Sequence, residues 1–129
     1  EATLANENPD HLLGVFVEPL SEKNQTKKSI EELSELIRIC HRHKVPVIFH
    51  ETASMLYQYD SNYFFAANHP DLNPDGLYFY GGGQFGFVAC NQKIFVDKPL
   101  QMISTWDGDE HSMNLFREKV IKTLCTRSN

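Results

Sequence analysis

Several absences narrow this sequence before any motif does. No lysine occurs between Lys44 and Lys93, so the middle of the chain carries no side-chain amine. Cysteine is sparse: Cys40, Cys90 and Cys125 are odd in number and widely spaced. They fit neither a disulfide framework nor a CxxC metal knuckle, and a reduced, cytoplasmic setting is the expectation. Apolar runs are only a few residues long, far short of a membrane span, and no secretory leader is visible. Positive charge is also scarce, with 12 Lys and Arg against 17 Asp and Glu and a net charge of −5. Those cations are scattered, which argues against a nucleic-acid footprint. Neither nucleic acid nor membrane is therefore an expected partner. The first residue is Glu rather than Met, so the chain is expected to be excised from something longer.

What remains suits one globular domain over residues 1–129, with 41% hydrophobic and 22% charged residues. "LLGVFVEPL", from Leu12 to Leu20, is an apolar run closed by Pro19 and predicts a buried strand. After a polar turn, Ser29 and Glu32 form a capping-box pattern that opens a helix. Ile30, Leu33, Leu36, Ile37 and Cys40 share one face of it, which predicts packing against a sheet. "VPVIFHE", from Val45 to Glu51, reads as the next strand, so the three pieces form a βαβ unit with parallel strands.

An aromatic-rich segment with one or two short helical turns follows and ends at Pro70, Pro74 and Gly76. "LYFYGG" and "FGFVACN" then predict two strands joined tightly enough to be antiparallel. Met113, Phe116, Val120 and Leu124 recur at helical spacing near the end, with Asp109 or Ser112 as the cap. Gly81, Gly83 and Gly86 satisfy the dinucleotide pattern G-x-G-x-x-G. That pattern functions only between a strand and a helix, whereas β-branched and aromatic residues follow here, so the match is coincidental.

The order of these pieces resembles class III aminotransferases, the fold type I enzymes that depend on pyridoxal phosphate. "VFVEPLSE" is similar to that family's "VIVEPIQGE", and "CHRHKVPVIFHET" to its helix-to-strand passage ending in "DEV". "NPDGLYFYGGG" is similar to "xPDIVxxxK", and "ISTWDGDE" to "GSTxGGNP". The likeness covers nearly the whole chain, yet corresponds only to the latter part of the family's large cofactor-binding domain. It implies a three-layer α/β sandwich around an open sheet of about four strands, mostly parallel, with the last antiparallel.

Carried over residue by residue, the resemblance implies a degenerate site. The family's aspartate, which pairs with the protonated pyridine nitrogen, falls on His50. An imidazole is neutral or cationic at working pH and supplies no such anion. The glutamine that follows the aspartate in such enzymes falls on Ala53, a lost ring contact. The Schiff-base lysine falls on Gly81, and no neighbouring lysine replaces it. Thr105 matches the hydroxyl that reaches the cofactor phosphate of the partner subunit, and Glu22 matches the acidic gate if the loop after Pro19 is one residue shorter. The family's phosphate cup and small domain fall outside this chain. No catalytic residue and no bound pyridoxal phosphate are therefore expected.

The expectation is an inactive aminotransferase-like module with an interaction or structural role in a larger protein. A homodimer or an adjoining domain would cover its sheet edges. The alternative is a residual small-molecule or transaminase-like activity, with His50 as acid or base and Glu22 assisting. His41 and His43 read as a solvated helix end, and adjacent His50 and Glu51 as pointing to opposite sheet faces. His69 and His111 fall in expected loops without metal-like spacing. Cys40 and Cys90 read as small buried residues, and Tyr57, Tyr59, Tyr63, Phe64 and Phe65 as core or contact packing rather than pocket walls.

Overall fold

The computed structural model describes residues 12–98 and 108–128. Four strands, β1 (Val15–Val17), β2 (Val47–His50), β3 (Gly76–Gly82) and β4 (Phe85–Cys90), form one sheet in the order β1-β2-β3-β4. The first three are parallel and β4 is antiparallel to β3, as the sequence predicts. Gly82 and Gly83 take positive φ, 107° and 59°, in the tight link between β3 and β4. A strand rather than a helix follows the glycines, so the dinucleotide pattern has no phosphate-facing helix end.

Helix α1 (Ile30–Arg42) begins at a complete capping box. Glu32 N–H donates to Ser29 Oγ at 3.1 Å, and Ser29 N–H donates to the Glu32 carboxylate at 2.7 Å. It ends in a Schellman motif: Val45 N–H donates to Cys40 O at 2.9 Å and Lys44 N–H to His41 O at 3.0 Å. Leu33, Ile37 and Cys40 are buried against Val17, Val47 and Phe49 of β1 and β2. Each such large side chain taken from water contributes about 1.5–3 kcal/mol, which fixes the sheet register.

Register pairs Val17 with Phe49, Phe49 with Leu77, and Phe79 with Phe87, so these side chains share one face. Helix α2 (Glu110–Arg127) joins that same face through Phe116 and Val120, which pack around Phe79. Among the described residues, then, both helices cover one face of the sheet. The opposite face carries Phe16, Ile48, Tyr78 and Val88, with Phe16 64% and Val88 68% exposed. Asp109 is the N-cap of α2, donated to by Ser112 N–H at 3.0 Å. Of the apolar residues foreseen on this helix, Met113 and Leu124 remain 44% exposed, because α2 touches the sheet only near Phe79.

The segment between β2 and β3 is held by Glu51, which is fully buried. Its carboxylate accepts the N–H groups of Ala66 (3.1 Å) and Ala67 (2.8 Å) and the hydroxyl of Ser54. Phe64 and Phe65 pack toward Phe79, and Tyr59 is buried with its hydroxyl donating to Lys28 O at 2.8 Å. The aromatic cluster is packing, as expected. Two sequence readings need correction. Cys90 is exposed because the final residue of β4 faces the bare side of the sheet, and His111 lies in the first turn of α2 rather than in a loop. No helix among the described residues is long and apolar enough to cross a membrane.

Candidate functional site

Parallel strands gather their carboxyl ends at one edge, where open α/β sheets usually bind ligands. Here that edge carries Glu18, one residue past β1, and His50 at the end of β2, with Tyr78 of β3 paired to His50 and Tyr80 two residues further on. The register that pairs Val17 with Phe49 sets Glu18 beside His50. The contact is a hydrogen bond, His50 Nδ1 to Glu18 Oε1 at 3.3 Å. On its other side the ring meets Thr52 Oγ1 at 2.8 Å through Nε2. Below it lies the Tyr78 ring, stacked with centroids 4.6 Å apart and planes 7° from parallel.

The partners define how a neutral His50 ring must be protonated. Thr52 Oγ1 already accepts Tyr80 N–H at 2.9 Å, which leaves its own proton for an acceptor. Nε2 accepts the hydrogen bond from the Thr52 hydroxyl, and Nδ1–H donates to the Glu18 carboxylate, which has no proton to give. The result is a continuous chain from carboxylate to imidazole to hydroxyl. His50 keeps 22% of its side-chain surface in solvent and Glu18 38%.

The other sequence-derived positions are not drawn into this cluster. Glu22 is exposed in the turn after β1, and its backbone carbonyl accepts Gln25 Nε2 at 3.1 Å. The carboxylate at His50 is therefore Glu18, a partner the sequence contained in "VEP" but revealed only through the strand register. Ala53 sits half-buried in the turn beyond Thr52. A Cβ added at Gly81 would collide with the Phe85 ring and lie 3.1 Å from that of Phe116. That is the helix-bearing side, opposite His50. Thr105 lies outside the described residues.

Glu51, adjacent to His50 in sequence, points into the core as expected. Burial pushes its carboxyl above the usual range, against the opposing hydrogen bonds from Ser54, Ala67 and Ala66. No group of three or more metal-ligating side chains exists among the described residues. At the far end of the sheet a depression of about 470 Å³ is lined by His41, Lys44, Asp75 and Lys93, among others. His41 is not simply solvated there, since its Nε2 lies 2.8 Å from Asp75 Oδ2.

No protein-family model matches the sequence, and no curated protein matches it either. Solved structures do. A thermostable (S)-enantioselective omega-transaminase from Thermomicrobium roseum superposes with a TM-score of 0.78 at 14% identity, over 98% of this chain and 30% of that one. The ornithine aminotransferase of Plasmodium yoelii gives 0.67 at 22% identity, over 88% and 32%. The ornithine delta-aminotransferase of Plasmodium falciparum gives 0.70 at 18%, over 98% and 33%. The chain thus has the fold of part of an aminotransferase domain, and spans about a third of the length of these neighbours.

Proposed function

We propose that this chain is an aminotransferase-fold segment silent in transamination, serving as an interaction or structural module of a larger protein. The observation that carries the reading is Gly81. It stands where the resemblance puts the Schiff-base lysine, and the Phe85 ring fills the space a side chain there would need. Without an amine, no imine forms with an aldehyde cofactor.

The residues at the strand ends do not fit pyridoxal phosphate in other respects. A ring-nitrogen partner must carry negative charge, whereas His50 is engaged by Glu18 and Thr52 and lies flat on Tyr78. Ala53 brings no polar atom. A residual transaminase-like activity around His50 would need the amine that residues 45–92 lack.

The module role is supported by apolar side chains that have nothing to bury against within the described residues. Met113, Leu115, Ile121 and Leu124 of α2 are each about half exposed. Exposed apolar side chains on a helix suit an association surface, here toward a second copy or an adjoining domain. The test mixes the protein with pyridoxal phosphate, treats it with borohydride and measures intact mass. The expected result is no stoichiometric adduct. A single lysine trapped in full yield would overturn the proposal.

A further inference from the structure

We infer that Glu18, His50 and Thr52 form an acyl-transfer site whose substrate is an ester with a short apolar acyl group. The arrangement has the three parts that activate a hydroxyl nucleophile: a hydroxyl bonded to an imidazole, and a carboxylate that orients the ring. The three side chains come from two segments, Glu18 from the end of β1 and His50 and Thr52 from the end of β2, and meet at the carboxyl ends of parallel strands.

A second, independent feature specifies the substrate class. Phe16 and Glu18, Ile48 and His50, and Tyr78 and Tyr80 are each two residues apart, hence on one face and about 6–7 Å apart along their strands. Phe16, Ile48, Tyr78, Val88 and Cys90, among others, line an open groove of about 350 Å³ whose walls are almost wholly apolar. Tyr78 belongs to both, as a wall of the groove and as the ring beneath His50. An apolar acyl chain lying in the groove ends against the Tyr78 ring on which His50 stacks, and His50 in turn bonds the Thr52 hydroxyl.

The step balances with water as the second reactant. Thr52 Oγ1 attacks the carbonyl carbon while its proton moves to His50 Nε2. The bond to the ester oxygen breaks, and the alcohol leaves with that proton. Water then attacks the acyl-threonine, gives a proton to Nε2, and Thr52 departs as the hydroxyl by taking it back. Ester and water become acid and alcohol. Glu18 is a positioning residue, since it touches only the imidazole and offsets the charge that forms there.

The test incubates the protein with p-nitrophenyl butyrate, follows nitrophenol release, and maps the butyryl group by peptide mass spectrometry. Butyrylation is expected at Thr52, retained in Thr52→Ser and slowed at least about 100-fold in His50→Gln. Glu18→Gln is expected to lower kcat with KM unchanged, which a purely structural role would not produce. Circular dichroism and melting confirm that each variant is folded. The inference is overturned by butyryl only on Cys90 or lysines, by no acylation of the folded protein, or by an unchanged rate in His50→Gln.

Discussion

Phe85 folds its ring over Gly81, filling the space that any side chain at position 81 would enter. Gly81 does not take a positive φ, so the restriction is steric and not conformational. Gly81→Lys is therefore expected to destabilise by about 1–3 kcal/mol through overpacking, rather than to restore cofactor chemistry. Pairing it with Phe85→Ala opens the space, so the double variant should lose less than the sum of the two single ones. Urea midpoints of the four proteins measure this. An additive cycle would show that the ring and position 81 do not compete.

Asp75 ties three strands together at the opposite edge. Its carboxylate accepts Val47 N–H at 2.9 Å and Asn91 Nδ2 at 2.9 Å, and lies 2.8 Å from His41. Burial opposes its charge, but these partners outweigh burial and hold the carboxyl below its ordinary range. A depressed folded value stabilises above the unfolded one, near pH 4, and that stability is lost as pH falls through the folded value. Asp75→Asn should cost about 1.5–3 kcal/mol at pH 7 and flatten the acid limb of the stability curve. Urea unfolding at pH 7 and pH 3 checks both parts.

Much of this fold was legible because each strand and helix announced itself locally. The capping box at Ser29 and Glu32, the apolar stripe through Leu33, Ile37 and Cys40, and the glycines at 81–83 all act over a few residues. The site was less legible, since its geometry depends on register. Nothing near Glu18 in sequence points to His50, and only the Val17–Phe49 pairing brings them together. Thr52 carries no signal of its own, because a lone threonine after a strand is ordinary. Its role appears only when Tyr80, on a strand far along the chain, occupies one lone pair. Helix α2 misled for a related reason. Its apolar spacing was real, but burial depends on whether a neighbour is present, and Phe79 meets only part of it.

Glu51 gives a pH dependence of opposite sign to Asp75. Burial raises its folded carboxyl above the ordinary range. Its contribution is therefore complete below the unfolded value, about 4.3, and is lost as pH rises through the folded one. Glu51→Gln removes the titration, so stability should become flatter from mildly acidic to neutral pH. The amide also sets an NH2 against the N–H of Ala66 or Ala67, at about 1–3 kcal/mol. Hydrogen exchange of the Ala66 and Ala67 amides should accelerate with it. Unchanged exchange there would mean that the carboxylate does not hold this segment.

Lys44 offers a change in the opposite direction. It occupies the position after the α1 C-cap at φ 59°, where the Schellman motif requires a left-handed backbone. The bonds from Lys44 to His41 and from Val45 to Cys40 close the helix, and Val45 and Cys40 are both buried behind them. A side chain in that conformation costs about 1 kcal/mol, which glycine avoids, while glycine loses part of the gain to greater freedom in the unfolded chain. The Lys44 side chain is exposed, so little packing is lost with it. Lys44→Gly is thus expected to stabilise by about 0.5–1 kcal/mol, and Lys44→Ala, which keeps the strained backbone, to leave stability nearly unchanged. Denaturation midpoints of the two variants separate the backbone effect from loss of the charge. If alanine stabilised as much as glycine, the lysine charge rather than the turn would be the cause.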